Sequence, residues 1–131
     1  MKKAQWLDRC LLESPYFYTL CTTKKHFRKV LRHLRIKKSS RPSFLSTEHA
    51  NATVHFFQSC GPDKHAAVVC IGGLKGRNRL DVLALLVHEA VHIWQEIRAV
   101  YGESCAGREE EAYSVQRIAQ SLFYEYERQT A

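Results

Sequence analysis

The chain has 131 residues, of which 45% are hydrophobic, and its formal net charge is +7. This length fits one domain, residues 1–131, and excludes a two-lobed protease with a deep cleft between its lobes. No apolar run reaches the roughly 18 residues that a membrane span requires, and the first residues lack the apolar segment of a secretory signal. We therefore expect a cytoplasmic protein that does not enter a membrane.

Positive charge is concentrated in the first part of the chain. Residues 1–80 contain 16 Lys and Arg against 4 Asp and Glu, whereas residues 81–131 contain 4 against 9. The excess is greatest between Lys24 and Arg41. Such a stretch is typical of a solvent-exposed helix face or of a surface that contacts phosphates, and we expect at most weak, sequence-independent binding of nucleic acid.

Five cysteines are scattered along the chain without a C-x-x-C spacing: Cys10, Cys21, Cys60, Cys70 and Cys105. Their odd number and irregular spacing predict reduced, structural cysteines rather than a disulfide framework or a zinc knuckle. Cys60 and Cys70 could face each other across a hairpin.

The first elements are expected to be short. A helix is predicted over Gln5 to Leu12, and Pro15 ends it. The aromatic segment Tyr16 to Cys21 is predicted as a strand, although Ser14 as cap and Pro15 at the first helical position would also suit the start of a helix.

A second helix is predicted from a cap at Thr22 or Thr23 to about Arg35, because apolar residues recur with helical spacing at Phe27, Val30, Leu31 and Leu34. Its opposite side carries a row of cations: Lys24, Lys25, Arg28, Lys29, Arg32 and Arg35. Residues 36–49 are rich in serine and are expected to form an ordered loop.

Two further strands are predicted, at Ala52 to Gln58 and His65 to Ile71. The first alternates between two faces, whereas the second is apolar on both faces and should be central in the sheet. With the turn at Cys60 to Asp63 they would form a hairpin. The expected fold is α+β, with a small, about three-stranded sheet packed on helices.

The segment Leu80 to Tyr101 contains the pattern H-E-x-x-H. On a helix, His88 and His92 lie on one face and can direct both imidazoles at one metal ion. Glu89 lies about 100° further round, beside the metal, where it can take a proton from a water that the metal activates. The motif predicts a zinc site with Glu89 as general base.

The surrounding residues suit a helix, with Asn78 as N-cap, Asp81 in the first turn and Gly102 as terminator. Apolar residues are so numerous in it that we expect the helix to be buried on most sides. The alternative is a core helix that carries two histidines by chance.

Zinc held by two imidazoles needs a third protein ligand and keeps its fourth position for water. Positions 95 and 98 are Gln95 and Arg98, which excludes the H-E-x-x-H-x-x-G-x-x-H pattern of metzincins. A second amphipathic helix beginning near Arg108 offers Glu111, which we expect on its core-facing side. A tight connection over Gly102 to Gly107 would return this helix antiparallel and bring Glu111 to both histidines.

HEAVH, followed nineteen residues beyond His92 by a Glu-Ala pair, resembles the gluzincin metallopeptidases, whose third zinc ligand is a glutamate on the next helix. The runs HEAVHIWQ and EEEAYSVQRIAQSL, with HANATVHFF and AVVCIGG, also resemble small metallopeptidases encoded by phages and prophages, a family without an assigned substrate. Gluzincins often have an aspartate four residues after the ligand glutamate, and here that residue is Val115. The group that orients the histidines must therefore come from elsewhere.

The resemblance implies a zinc peptidase with one Zn²⁺ per chain held by His88, His92 and Glu111, acting on a dedicated protein or peptide. Tyr113, Tyr101 and His55 are candidate stabilisers of the oxyanion, and the substrate is expected to add as a strand to a sheet edge. Two alternatives remain. One is a binding or inhibitor module that zinc only staples together. The other is a nucleic-acid-associated protein that uses the basic stretch 24–41.

Overall fold

The computed structural model describes residues 2–7, 16–47, 51–58, 65–100 and 108–131, with the side chains of the last segment described from Glu110. In chain order the elements are β1 (Tyr16–Cys21), α1 (Lys24–His33), a short 3-10 turn (Lys38–Ser40), β2 (Ala52–Phe57), β3 (His65–Ile71), α2 (Arg79–Val100) and α3 (Arg108–Thr130). The predicted α+β class with a three-stranded sheet is confirmed. No helix within these segments is long and apolar enough to cross a membrane.

The sheet has the strand order β1-β3-β2, so β3 is central, as predicted. β1 runs parallel to β3 and β2 runs antiparallel to it. Because β3 is covered on both faces and paired on both edges, its residues from Ala66 to Ile71 are buried. Cys70 lies opposite Cys21 in the register of β1, and Cys60, its expected neighbour, lies outside the described residues.

Each face of the sheet has its own hydrophobic core. Alternate strand residues that include Leu20, Val69 and Val54 pack against α2 and α3. The intervening residues, such as Cys21 and Val68, pack against α1 and the loop that follows it. Since successive residues of a strand point to opposite faces, the sheet separates α1 from the α2–α3 pair.

The outer edge of β1 is occupied by residues near the start of the chain. Trp6 forms an antiparallel bridge with Thr19, and the Leu7 amide donates to the carbonyl of Tyr18 at 3.0 Å. The predicted helix Gln5 to Leu12 is therefore wrong for residues 5–7, and residues 8–12 lie outside the described part. An edge strand offers unpaired backbone groups, and pairing with them outweighs a weak helical pattern.

Helix α1 begins where the sequence predicts. The Thr23 hydroxyl accepts from the amide of His26 at 3.1 Å. At the other end, the amides of Arg35 and Ile36 donate to the carbonyls of Arg32 and Leu31, each at 3.0 Å. Arg35 has φ of 59°, the left-handed conformation that closes many helices and that glycine adopts most easily.

Helices α2 and α3 run antiparallel, as expected. Arg98, near the end of α2, pairs with Glu111 in the first turns of α3, and Arg79, at the start of α2, pairs with Glu127 near the end of α3. Asn78 caps α2, its side-chain oxygen accepting from the Leu80 amide at 2.8 Å.

The expectation that α2 is buried on most sides is wrong. Leu80 is 67% exposed and Val87 is 40% exposed. One stripe of α2 faces the core, formed by Val82, Leu86, Glu89, Ala90, Ile93, Trp94 and Ile97. The opposite side of α2 is open.

The end of α3 is held against β1 by buried polar groups. Gln129 donates to the carbonyl of Leu20 and to the carboxylate of Glu125, each at 2.8 Å, and its own oxygen accepts from the Thr22 hydroxyl at 2.8 Å. Arg128 also donates to the fully buried Glu125 carboxylate at 2.6 Å. Gln129 and Glu125 thus both have hydrogen-bond partners, and the contacts of Gln129 with β1 fix the position of α3 along the sheet.

Replacing Arg35 with glycine should stabilise the protein by about 0.5–1 kcal/mol, because glycine avoids the steric cost of the left-handed conformation. Chemical denaturation of both proteins measures the difference. Lys37→Gly is the matched control, since Lys37 has ordinary extended angles (φ −61°, ψ 142°) and also loses one charge. This control should be slightly destabilised, and an Arg35→Gly protein less stable than the parent would contradict the expectation.

Candidate metal centre

His88 and His92 lie one turn apart on the open side of α2, and both side chains are exposed. Their rings are 4.7 Å apart between centroids and nearly perpendicular, at 77°. The two Nε2 atoms are 3.1 Å apart. The i, i+4 spacing of the sequence therefore brings both ring nitrogens to one point.

This separation fits a zinc site. Two imidazole nitrogens at the usual Zn–N distance, on a tetrahedral ion, lie about 3.3 Å from each other. The observed 3.1 Å needs only a small opening of the pair. The separation of the two Nε2 atoms is thus close to the one that a tetrahedral zinc ion requires.

Gln95 supplies a partner for His92. The Nδ1 atom of His92 is 3.2 Å from the side-chain oxygen of Gln95. An amide oxygen only accepts, so this contact is a hydrogen bond in the tautomer that carries its proton on Nδ1, which leaves Nε2 without a proton. A hydrogen bond of this kind fixes both the tautomer and the orientation of a metal-binding histidine. Gln95 thus contacts His92 from the same face of α2.

Glu89 is on the buried side of α2 and is only 4% exposed. Burial raises the pKa of its carboxyl group above the ordinary value, while the neighbouring His88 and His92 oppose this by lowering it. A desolvated carboxylate holds a proton more readily than one in water. This is the property required of a base that must accept a proton near neutral pH.

A cavity of about 780 Å³ borders the motif. It lies between the start of β2 and the open side of α2, and its lining residues are Asn51, Ala52, Arg77, Asp81, Ala84, Leu85, His88 and Glu89. Arg77 is held in place by a 2.8 Å hydrogen bond to the Asn51 side chain. One histidine and the candidate base thus both face a space large enough for a peptide segment.

Glu111 is not placed with the histidines. Its carboxylate is 3.4 Å from the Arg98 guanidinium, and its side chain is 49% exposed rather than facing the core. Arg98 follows His92 by six residues, which is about 9 Å along the axis of α2. Among the described residues, no group of three His, Cys, Asp or Glu side chains is close enough to hold a metal. Two of the three predicted ligands are therefore brought together, and the third is engaged by Arg98.

Some buried polar atoms near this end of α2 lack partners in the described structure. They are Nε1 of Trp94, Nε of Arg98 and, on α3, Oγ of Ser114. Ser114 follows Glu111 by one turn. Each of these three groups can donate a hydrogen bond.

The three candidate oxyanion stabilisers have different locations. Tyr113 is 61% exposed, and Tyr101 lies outside the described residues. His55 stacks on Phe27 of α1, with ring centroids 5.0 Å apart, and its Nε2 is 2.9 Å from the carbonyl oxygen of Phe44. His55 therefore lies on the α1 side of the sheet, away from His88.

Two contacts at the candidate site were not predicted from the sequence, one between Gln95 and His92 and one between Arg77 and Asn51. Gln95 stands three residues after His92, a spacing that places both on one helix face and could have indicated the contact. Arg77 and Asn51 lie far apart in the chain, and nothing in the sequence connects them.

No protein-family model, curated protein or solved structure matches this chain. The resemblance to gluzincins thus depends on the motif residues and their arrangement.

In metal-free protein, Glu89→Gln should raise the thermal midpoint at neutral pH. Burial raises the pKa of Glu89 above its ordinary 4.5 in the folded chain. Between the unfolded and the folded pKa, the folded state keeps a proton that the unfolded state has released. The free energy of unfolding therefore falls as the pH rises through this range. Glutamine carries no such proton, so the difference between the variants should grow from acid to neutral pH. Thermal melts in chelator at several pH values measure it.

Glu110→Gln serves as the control, because Glu110 is exposed and its replacement should change little. If the metal-free parent is at least as stable as Glu89→Gln at neutral pH, burial of the Glu89 carboxylate does not destabilise the protein and the prediction is wrong.

Proposed function

We propose that the protein is a zinc-dependent peptidase. The observation that carries this proposal is the 3.1 Å separation of the two Nε2 atoms on the open side of α2, with the buried carboxyl group of Glu89 between them in sequence. Bound zinc would supply Lewis acidity that brings the pKa of a water close to 7. The chain would supply the ligands, the base and the place for the substrate.

Glu89 is the proposed base. As the water oxygen attacks the peptide carbonyl carbon, Glu89 accepts a water proton and then delivers it to the nitrogen of the breaking C–N bond. Its burial favours proton acceptance, because the raised pKa makes the carboxylate a better proton acceptor.

The substrate is proposed to lie along β2. β1 already pairs with residues 5–7 on its outer edge, whereas the outer edge of β2 has no strand partner among the described residues. The start of β2, at Ala52, lines the same cavity as His88 and Glu89. A peptide added to this edge in extended form would therefore pass the candidate site, with Arg77 and Asp81 beside it.

Glu111 is proposed as the third ligand after it leaves Arg98. The ion pair is partly exposed, and such pairs contribute roughly 0–1 kcal/mol, far less than a ligand bond to zinc. The antiparallel packing of α2 and α3 keeps Glu111 near the end of α2. Metal binding and loss of the Arg98 contact would then occur together.

A stapled binding module is the competing interpretation. Structural zinc sites are closed by four protein ligands, whereas this histidine pair is exposed and adjoins an open cavity. A module would also have no use for an acidic side chain buried beside the metal. Both features favour catalysis over a purely structural metal.

One zinc per chain is expected, and alanine at His88, His92 or Glu111 should remove it. Each loss should also lower the thermal midpoint of the zinc-loaded protein, because binding energy at a site that joins two helices is also folding energy. Metal analysis after dialysis and melts with and without zinc give both quantities.

Two further variants, Arg98→Met and Glu110→Ala, test whether Arg98 competes with zinc and whether Glu111 rather than Glu110 is the third ligand. Arg98→Met removes the competing cation, so zinc should bind more tightly, while Glu110→Ala should leave zinc unchanged. Full occupancy in Glu111→Ala with loss in Glu110→Ala would assign the third ligand to Glu110.

Glu89→Gln should retain zinc and abolish hydrolysis. Glutamine keeps the size of the side chain but cannot accept the proton, and a general base contributes roughly 10² to 10⁴-fold to the rate. Turnover of a peptide library, read by mass spectrometry, compares the parent with Glu89→Gln at equal zinc content. Hydrolysis at the parental rate in a zinc-loaded Glu89→Gln protein would refute the peptidase, and biological effects that persist in it would favour the binding module.

A further inference from the structure

The outward side of α1 carries a row of cations. Its helical members, all exposed, are Lys24, Lys25, Arg28, Lys29 and Arg32, and the exposed Arg35 follows just beyond the helix end at His33. No Asp or Glu occurs between residues 16 and 47, and none of these six side chains forms an ion pair with a residue in the described segments. Ten residues of helix span about 15 Å, so the row forms a dense positive surface.

An aromatic cavity adjoins this row. It measures about 200 Å³, and its walls include Trp6 from the segment paired with β1, Lys3, and His26, Lys29 and His33 from α1. Trp6 is 36% exposed, and its ring lies 6.1 Å from that of His33, tilted by 44°. Because Lys29 belongs both to the cation row and to the cavity wall, the two features form one continuous surface.

His26 gives this cavity a neutral polar group. Its ring is 9% exposed, and its Nδ1 has no hydrogen-bond partner in the described structure. Burial lowers the pKa of His26, and the charges of Lys29 and Lys25 lower it further. A neutral imidazole can donate or accept, which suits the hydrogen-bonding edge of a nucleobase.

We propose that this surface binds single-stranded nucleic acid, with the α1 cations on successive phosphates and one base in the Trp6 cavity. Rows of cations follow a phosphate backbone, and an exposed aromatic ring beside them stacks a base that a single strand leaves free. A duplex hides its bases and would use the cations alone. The sequence predicted at most weak, sequence-independent binding through the charged helix. Because residues 5–7 were expected to be helical, it did not indicate that Trp6 lies beside α1.

An anionic membrane fits this surface less well. Membrane-bound helices insert apolar side chains below the charged ones, but the apolar residues of α1, such as Phe27 and Leu31, are buried against the sheet. Trp6 lines a cavity beside the charged side chains. The surface therefore offers charge with one aromatic recess.

The proposed surface is separate from the candidate metal centre. α1 packs on the face of the sheet opposite α2, which carries His88 and His92. Binding of nucleic acid therefore requires neither zinc nor catalysis, and the two proposals can fail independently.

The test uses the full chain and a fluorescent oligothymidylate of about 12 nucleotides, with anisotropy measured over a range of salt concentrations. Tryptophan fluorescence reports stacking, because Trp6 is exposed whereas Trp94, the other tryptophan, is 3% exposed. Binding should weaken steeply with salt, and the oligonucleotide should quench Trp6. Trp6→Leu should abolish the quenching and weaken binding about tenfold or more.

The double variant Arg28→Gln, Arg32→Gln should reduce the slope of log affinity against log salt by about 1.4, since each phosphate contact to a single strand contributes about 0.7. The matched control, Lys75→Gln with Arg79→Gln, removes the same charge outside α1 and should leave the slope unchanged. Equal effects of both double variants would reduce the proposal to net charge and overturn it.

Three other results would also overturn it. The first is no binding of the oligonucleotide at low salt. The second is binding without quenching of Trp6, or equally strong binding of a duplex. Either result would show that no base enters the Trp6 cavity. The third is binding of anionic lipid vesicles or polyglutamate, lost in the Arg28, Arg32 variant, by a protein that ignores the oligonucleotide.

Discussion

The rotation of α2 about its own axis determines the rest of the candidate metal centre. Burial of one apolar stripe, from Val82 to Ile97, against the sheet sets that rotation. Once it is set, helical geometry places Glu89 inside and turns His88 and His92 outward. A rotation of one residue position would expose the carboxyl group and bury an imidazole. The packing of the hydrophobic core thus determines which side chains of α2 point toward the sheet and which point away from it.

The two halves of the proposed ligand set depend on different forces. His88 and His92 are brought together by a single turn of helix, and Gln95 orients one of them from the next turn. Glu111 depends on how α3 packs beside α2 and on competition with Arg98. A contact within one helix forms whenever the helix forms. A contact between two helices depends also on how they pack and on which charged side chains lie nearby. A zinc ion and the Arg98 guanidinium are two cations that would compete for the same carboxylate.

The central sheet separates the candidate metal centre on α2 from the row of cations on α1. One face supports the histidine pair and the buried glutamate, and the other supports a helix covered with cations. The short segment at residues 5–7 has two effects on the sheet. It covers the edge of β1, so that among the described residues only β2 has an outer edge without a strand partner, and it carries Trp6 to the end of α1. A strand-like contact at the start of the chain thereby influences both surfaces.

Local patterns in the sequence predicted the strands, the caps at Thr23 and Asn78, the central position of β3 and the pairing of His88 with His92. Each depends on residues within about one or two turns, where backbone geometry leaves little choice. The tertiary structure alone decided that residues 5–7 pair with β1, that His55 lies on the far face of the sheet, and that Glu111 meets Arg98. These contacts join residues distant in the chain, and they are selected by competition among all exposed edges, charges and apolar surfaces of the folded protein, which no local pattern records.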